Sequence, residues 1–180
     1  MDSNERIARV TAFAALGTLT TTQQIAGSVL SLPGDADPAL VAEESLALVS
    51  VVSARVIEGG LRELVEERAA VVRSVLDLPF LYQDYLLGEA IVTGSAKAGF
   101  TPDESYQRMH RKREFYLSHL SSGVFPGENL LSDKLELWMG RVSPPKTGSP
   151  PRARLESSDA LGQVVSHAKI LLAFCRRTIV

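Results

Sequence analysis

Apolar residues recur at three- and four-residue spacing through nearly the whole of this 180-residue chain, and that period admits one class of fold. A repeat near 3.6 gathers side chains on one face of a helix but scatters them over both faces of a strand. The punctuation agrees with the period. Asp37 stands before Pro38, an N-cap followed by a residue whose missing N–H costs nothing in a first turn. Thr101-Pro102-Asp103-Glu104 is the clearest start, with a carboxylate placed to complete a capping box. The chain is expected to be all-α, a helical bundle of six to seven helices with a C-terminal amphipathic helix tethered by a Pro-rich linker.

The first helix should begin after Ser3 and carry Ile7, Val10, Phe13, Ala14 and Gly17 on one side. Thr20–Thr22 should weaken or interrupt it, because β-branched hydroxyl residues compete with helical hydrogen bonding. After the loop LSLPGDADP, a second helix should run from Pro38 to Glu58 and stop at Gly59-Gly60. Its Val-rich piece LVSVVSARVI would also suit a strand, but the cap before it favours helix. A third helix starts at Leu61, and Pro79 should end or break it. The segment 80–99 is apolar on nearly every side and is expected to be the central helix of the bundle. The helix opened at Pro102 should stop near Gly123, and a short one should start at Ser132.

Residues 141–154 hold four prolines and the cations Arg141, Lys146, Arg152 and Arg154. This reads as an extended linker, and Ser157 or Ser158 then caps the last helix. The expected division is a bundle core over 1–140, a basic linker over 141–156 and the C-terminal helix over 157–180.

Length fits one domain with a sizeable core. The net charge of −2 hides an asymmetry: residues 1–104 carry 7 basic against 15 acidic side chains, and residues 105–180 carry 12 against 6. Such a division suits a basic surface for a polyanion, or acidic and basic faces that meet between copies, or internal neutralisation. Cys175 is the sole cysteine, which excludes an intrachain disulfide and a Cys-rich zinc site and suits a reducing compartment. Arg6 and Arg9 before VTAFAALGTL imitate a signal peptide, but Asp2 and Glu5 cancel the charge and TTTQQ replaces a cleavage site. With no apolar run near the ~18 residues that span a bilayer, the expectation is a cytoplasmic protein with no membrane partner.

No phosphate loop, dinucleotide fingerprint, HExxH pair or nucleophile elbow occurs, and His110, His119 and His167 lack metal-site spacing. No catalytic residue, cofactor or metal is therefore assigned.

RMHRKREFYLSHL, residues 108–120, is the densest cationic stretch. On a helix over 102–121, Tyr106, Met109, Leu117 and Leu120 share one side, with Tyr116 at its margin, while Arg108, Arg111, Lys112, Phe115 and His119 share the other. That second face would bind nucleic acid or a protein partner, with Phe115 stacking on a base. Arg68 and Arg113 fall among apolar positions, and Asp84 is the expected acceptor; together they would form a pocket for a small anion. Leu161, Val164, Val165, Leu171 and Leu172 form a stripe on the last helix that docks on its own bundle or, across a linker reaching ~40 Å, on a neighbouring subunit. The functional expectation is a non-enzymatic assembly or adaptor protein acting through helix–helix contacts, as a homo-oligomer or with another protein. The alternatives are a nucleic-acid coating or packaging protein and a binder of a small anionic ligand.

Overall fold

In the computed structural model, residues 2–93, 102–122, 126–143 and 149–179 are described, and among them the chain forms helices and no strands. In chain order these are α1 (Ser3–Leu30), α2 (Pro38–Gly60), α3 (Val65–Val92), α4 (Pro102–His119), α5 (Glu128–Val142), α6 (Pro151–Glu156) and α7 (Ala160–Ile179). The expected all-α bundle is what forms.

The middle of the bundle is α2, not the 80–99 segment. Leu46 to Val56 is buried on every side, and α2 packs against α1, α3, α4, α5 and α7. The reason lies in side-chain size. Ser45, Ala47, Ser50, Ser53 and Ala54 let neighbours approach from several directions, while the valines fill the gaps. Asp37 caps the helix through its carboxylate, 2.9 Å from the Ala39 N–H. At the other end a Cβ on Gly60 would lie 2.6 Å from the Cβ of Cys175, so only glycine lets α7 cross there. In contrast, Leu81 and Tyr85 of the expected central segment are exposed, and residues 94–99 of it lie outside the described residues.

Several boundaries differ from expectation: α3 begins at Val65, not Leu61, and α5 at Glu128, not Ser132. Helix α1 continues through Thr20–Thr22, with Thr18, Thr21 and Thr22 all buried, so tertiary packing outweighs the local competition of their hydroxyls. Helix α3 runs through Pro79, since tertiary packing of its buried face outweighs one missing hydrogen bond. The linker is shorter than its composition suggests. Helix α5 extends to Val142, and residues 151–156 form α6 with Arg154 and Leu155 buried, Arg154 donating to the Pro33 carbonyl at 3.0 Å. Thr101, the expected cap of α4, lies outside the described residues, while Ser158 accepts a 3.4 Å bond from the Ala160 N–H at the start of α7.

Helix α7 docks against α1 and α2 of its own chain. Val164, Val165 and Leu171 are buried, and Leu161 and Leu172 pack on the same core. The stripe assigned to an oligomer contact is thus engaged inside the chain.

Candidate functional site

Helix α4 buries Ser105, Met109, Lys112 and Tyr116, followed by Leu120 just past its end, so its inner face is rotated from the one the apolar pattern suggests. Lys112 is the cause. Its ammonium lies 2.7 Å from Glu43 and 3.6 Å from Glu44 of α2 and is almost enclosed. Arg108 reaches the same Glu43 through two N–H groups at 3.1 and 3.0 Å. Glu44, only 1 % exposed, accepts bonds from the Tyr116 hydroxyl at 2.7 Å and from Arg141 of α5 at 2.8 and 2.7 Å.

Burial by itself would raise both carboxyls. The hydrogen bonds and positive charges of Arg108, Lys112 and Arg141, with the Tyr116 hydroxyl on Glu44, outweigh it and hold both below the ordinary carboxylate value. Burial first, and then the Glu44 charge, push the Tyr116 phenol well up, so it stays a neutral donor. The network fixes α4 and α5 to the central helix.

Of the expected binding face, Arg111 and Arg108 are exposed, Arg108 while paired with Glu43, whereas Lys112 is buried and Phe115 and His119 are partly covered. Phe115 is half-buried, edge-on to Tyr116 and covered by the Arg141 guanidinium 4.3 Å from its ring centre. His119 packs on Phe115, with Nδ1 2.7 Å from that residue's carbonyl. Stacking of Phe115 on an outside base is therefore replaced by stacking within the chain.

Arg68, Asp84 and Arg113 do not converge. Arg113 lies over Phe80 at 4.7 Å, donates to the Leu76 carbonyl at 3.4 Å and pairs with Asp77 at 3.7 Å, not with Asp84. Arg68 donates to the Arg62 carbonyl at 3.1 Å, and Asp84 is exposed. The sequence pattern placed the arginines near apolar residues but could not reveal that Asp77, two residues before Pro79, would pair with Arg113.

What sequence reasoning missed lies between α1 and α7. A groove of about 790 Å³ separates them, walled by Leu16, Thr20 and Gln24 on one side and Gly162, Ser166 and Ile170 on the other. Leu16 is 68 % and Ile170 59 % exposed, and the two stand on opposite walls of this one groove. Phe13, which also lines the groove, stacks on Phe174 with ring centres 3.9 Å apart. A Cβ on Gly162 would meet nothing within 4 Å, so that glycine holds the groove open.

The floor is polar. His167 places Nε2 2.7 Å from Ser53 Oγ, which in turn lies 2.8 Å from Thr18 Oγ1. Burial pushes the imidazole down to about 4, so it is neutral near neutral pH. A serine beside a neutral histidine has the composition of an activated nucleophile. Here Ser53 is fully enclosed in the central helix, so its hydroxyl meets only Thr18 and His167 and braces three helices together.

The outer face of α1 explains the character of the groove. Residues 10–34 contain no charged side chain, although 22% of the whole chain is charged. Ala12, Leu16, Leu19, Thr20, Gln23, Gly27 and Leu30 are all exposed along it. That charge-free stretch was the available signal in the sequence. Its meaning depended on knowing that one face of the helix stays outside.

Comparison of the chain with protein-family models, with curated proteins and with solved structures finds no match. Among the described residues no helix is long and apolar enough to cross a membrane, and no three His, Cys, Asp or Glu side chains gather as metal ligands do.

Proposed function

We propose that this protein is a helical adaptor or assembly protein whose contact surface is the groove between α1 and α7, bordered by the uncharged outer face of α1. The observation that carries the reading is the pair Leu16 and Ile170, exposed on opposite walls of one groove beneath a helix face free of charge. Depletion of charge together with exposed large apolar groups is the mark of an interface core, since charged side chains there would lose hydration without gaining partners. The contact surface differs from the inner stripe of α7; it is the outer side of the same helix.

Less favours the nucleic-acid reading. Arg108 and Lys112 share the carboxylate of Glu43, Lys112 is buried and Phe115 is covered, so only Arg111 of the basic face is presented without a partner on α2. The anion-pocket reading loses its geometry with the separation of Arg68, Asp84 and Arg113.

The test is site-specific photo-cross-linking. A benzophenone side chain at position 16 is expected to cross-link a partner, and the same group at the exposed position Arg73 on α3 is not. Gly162→Leu should block the reaction by filling the groove without disturbing the fold, because a side chain there meets open space. Equal cross-linking from both positions, or indifference to Gly162→Leu, refutes the reading.

A further inference from the structure

We infer that the partner at this face is a second copy of the same chain, with α7 lying antiparallel to its counterpart across a two-fold axis. This rests on the reading of the α1–α7 face as a contact surface and goes further by naming what covers it.

The outward stripe of α7 points to this pairing. Asp159, immediately before the helix, is followed at three- and four-residue steps by Gly162, Ser166, Ile170, Ala173 and Arg177, and all six are exposed. An acid therefore stands at one end of the stripe and a base at the other, ~27 Å apart at 1.5 Å per residue. Among the described residues, neither Asp159 nor Arg177 has an ion pair within the chain.

A stripe with opposite charges at its ends is complementary to itself when reversed. In the register that places Asp159 opposite Arg177 of the second copy, the reverse pair forms at the other end by symmetry. The same register sets Ile170 opposite Ser166 and Gln163 opposite Ala173. Each large side chain then faces a small one, and each exposed isoleucine enters the groove beside the other copy's Gly162 and Ser166. Leu16 of α1 flanks the entry and gains cover from the same isoleucine. A parallel arrangement has none of this: it would place Asp159 against Asp159, Arg177 against Arg177 and Ile170 against Ile170. The basic end is not purely basic, because Glu5 is exposed on the outer face of α1; the complementarity resides in α7.

The experiment measures the mass of the full chain in solution across a concentration series, by light scattering and sedimentation. Twice the 19.5 kDa of one chain is expected, with dissociation on dilution. Ile170→Glu should leave helicity intact and give the single-chain mass. Arg177→Asp and Asp159→Arg should each weaken association about tenfold, because each replaces two attractive pairs by repulsive ones. The doubly swapped protein should recover most of that loss, since both end pairs are restored with their signs exchanged. Circular dichroism separates this effect from damage to the start of α7.

A single-chain mass at every concentration overturns the inference, as does a dimer indifferent to Ile170→Glu, or a double swap no tighter than either single change. Cross-linking from position 16 in the same preparations tells the two failures apart. A monomer whose position 16 still reacts with another protein, in a manner blocked by Gly162→Leu, loses only the second copy as partner. A monomer in which position 16 reacts no more than position 73 loses the contact surface as well.

Discussion

Replacing His167 with glutamine tests the energetics of the core directly. The imidazole is buried beneath the groove, holds Ser53 through Nε2, and has its pKa pushed by burial to about 4. An unfolded histidine titrates near ~6.5. The folded value is depressed, so on acidification the unfolded chain takes up the proton first. Stability is fully present above ~6.5, is lost as pH falls from there to about 4, and loses nothing more from this group below that. Between pH 7 and pH 5 the linkage relation gives a loss of about 2 kcal/mol from this one residue. That is a sizeable part of the ~5–15 kcal/mol that holds a typical domain together.

Glutamine keeps a polar group within reach of Ser53 but does not titrate. Urea unfolding of both proteins at the two pH values isolates the effect, because every carboxylate is common to both. The His167→Gln protein should lose about 2 kcal/mol less than the parent over that interval. Equal losses, or an imidazole seen by NMR to titrate near its ordinary value, would refute the account of a dry, neutral histidine.

Gly60→Ala should destabilise by about 1–3 kcal/mol, because the new Cβ falls 2.6 Å from the Cβ of Cys175 and neither atom can rotate away; denaturant midpoints will show it. Gly27→Ala, in the same assay, should be neutral or stabilise by up to ~1 kcal/mol, since nothing lies within 4 Å of that position and alanine favours the helix. Glu44→Ala should cost about 1–3 kcal/mol by leaving the buried Tyr116 hydroxyl unpaired and Arg141 without its carboxylate, while Lys112 keeps Glu43; Arg111→Ala should change stability by less than ~0.5 kcal/mol. Because the Glu43 and Glu44 carboxyls sit below their ordinary value in the folded state, their contribution is present above pH ~4.5 and disappears as pH falls through the folded values; Glu44→Gln should flatten that acid limb of the stability profile.

Much of the architecture could be read from local chemistry. Asp37 and Pro38 start α2 because a carboxylate and a residue without an N–H answer the unsatisfied donors of a first turn. The helix runs on through Gly59-Gly60 to its C-cap Leu61, and the apolar stripe of α7 finds a core, as its period requires. The candidate site was far less legible. Lys112 looked like part of a wet face because its partners lie about seventy positions earlier on another helix. Phe115 looked stranded among cations because Arg141, which covers it, follows on α5.

The sequence by itself determined where the chain turns and which period it follows, because caps, prolines, glycines and helical spacing act within a few residues. It determined equally that residues 10–34 carry no charge. Only the tertiary structure decided which helix is central, since that depends on small residues of α2 meeting five neighbours at once. The same holds for Glu43 and Glu44, whose burial is tolerable only where cations from α4 and α5 converge on them. The uncharged face of α1 stays outside for a related reason: α7 and α2 fill the opposite side of that helix, and the groove left beside Leu16 and Ile170 exists only where the packed helices part.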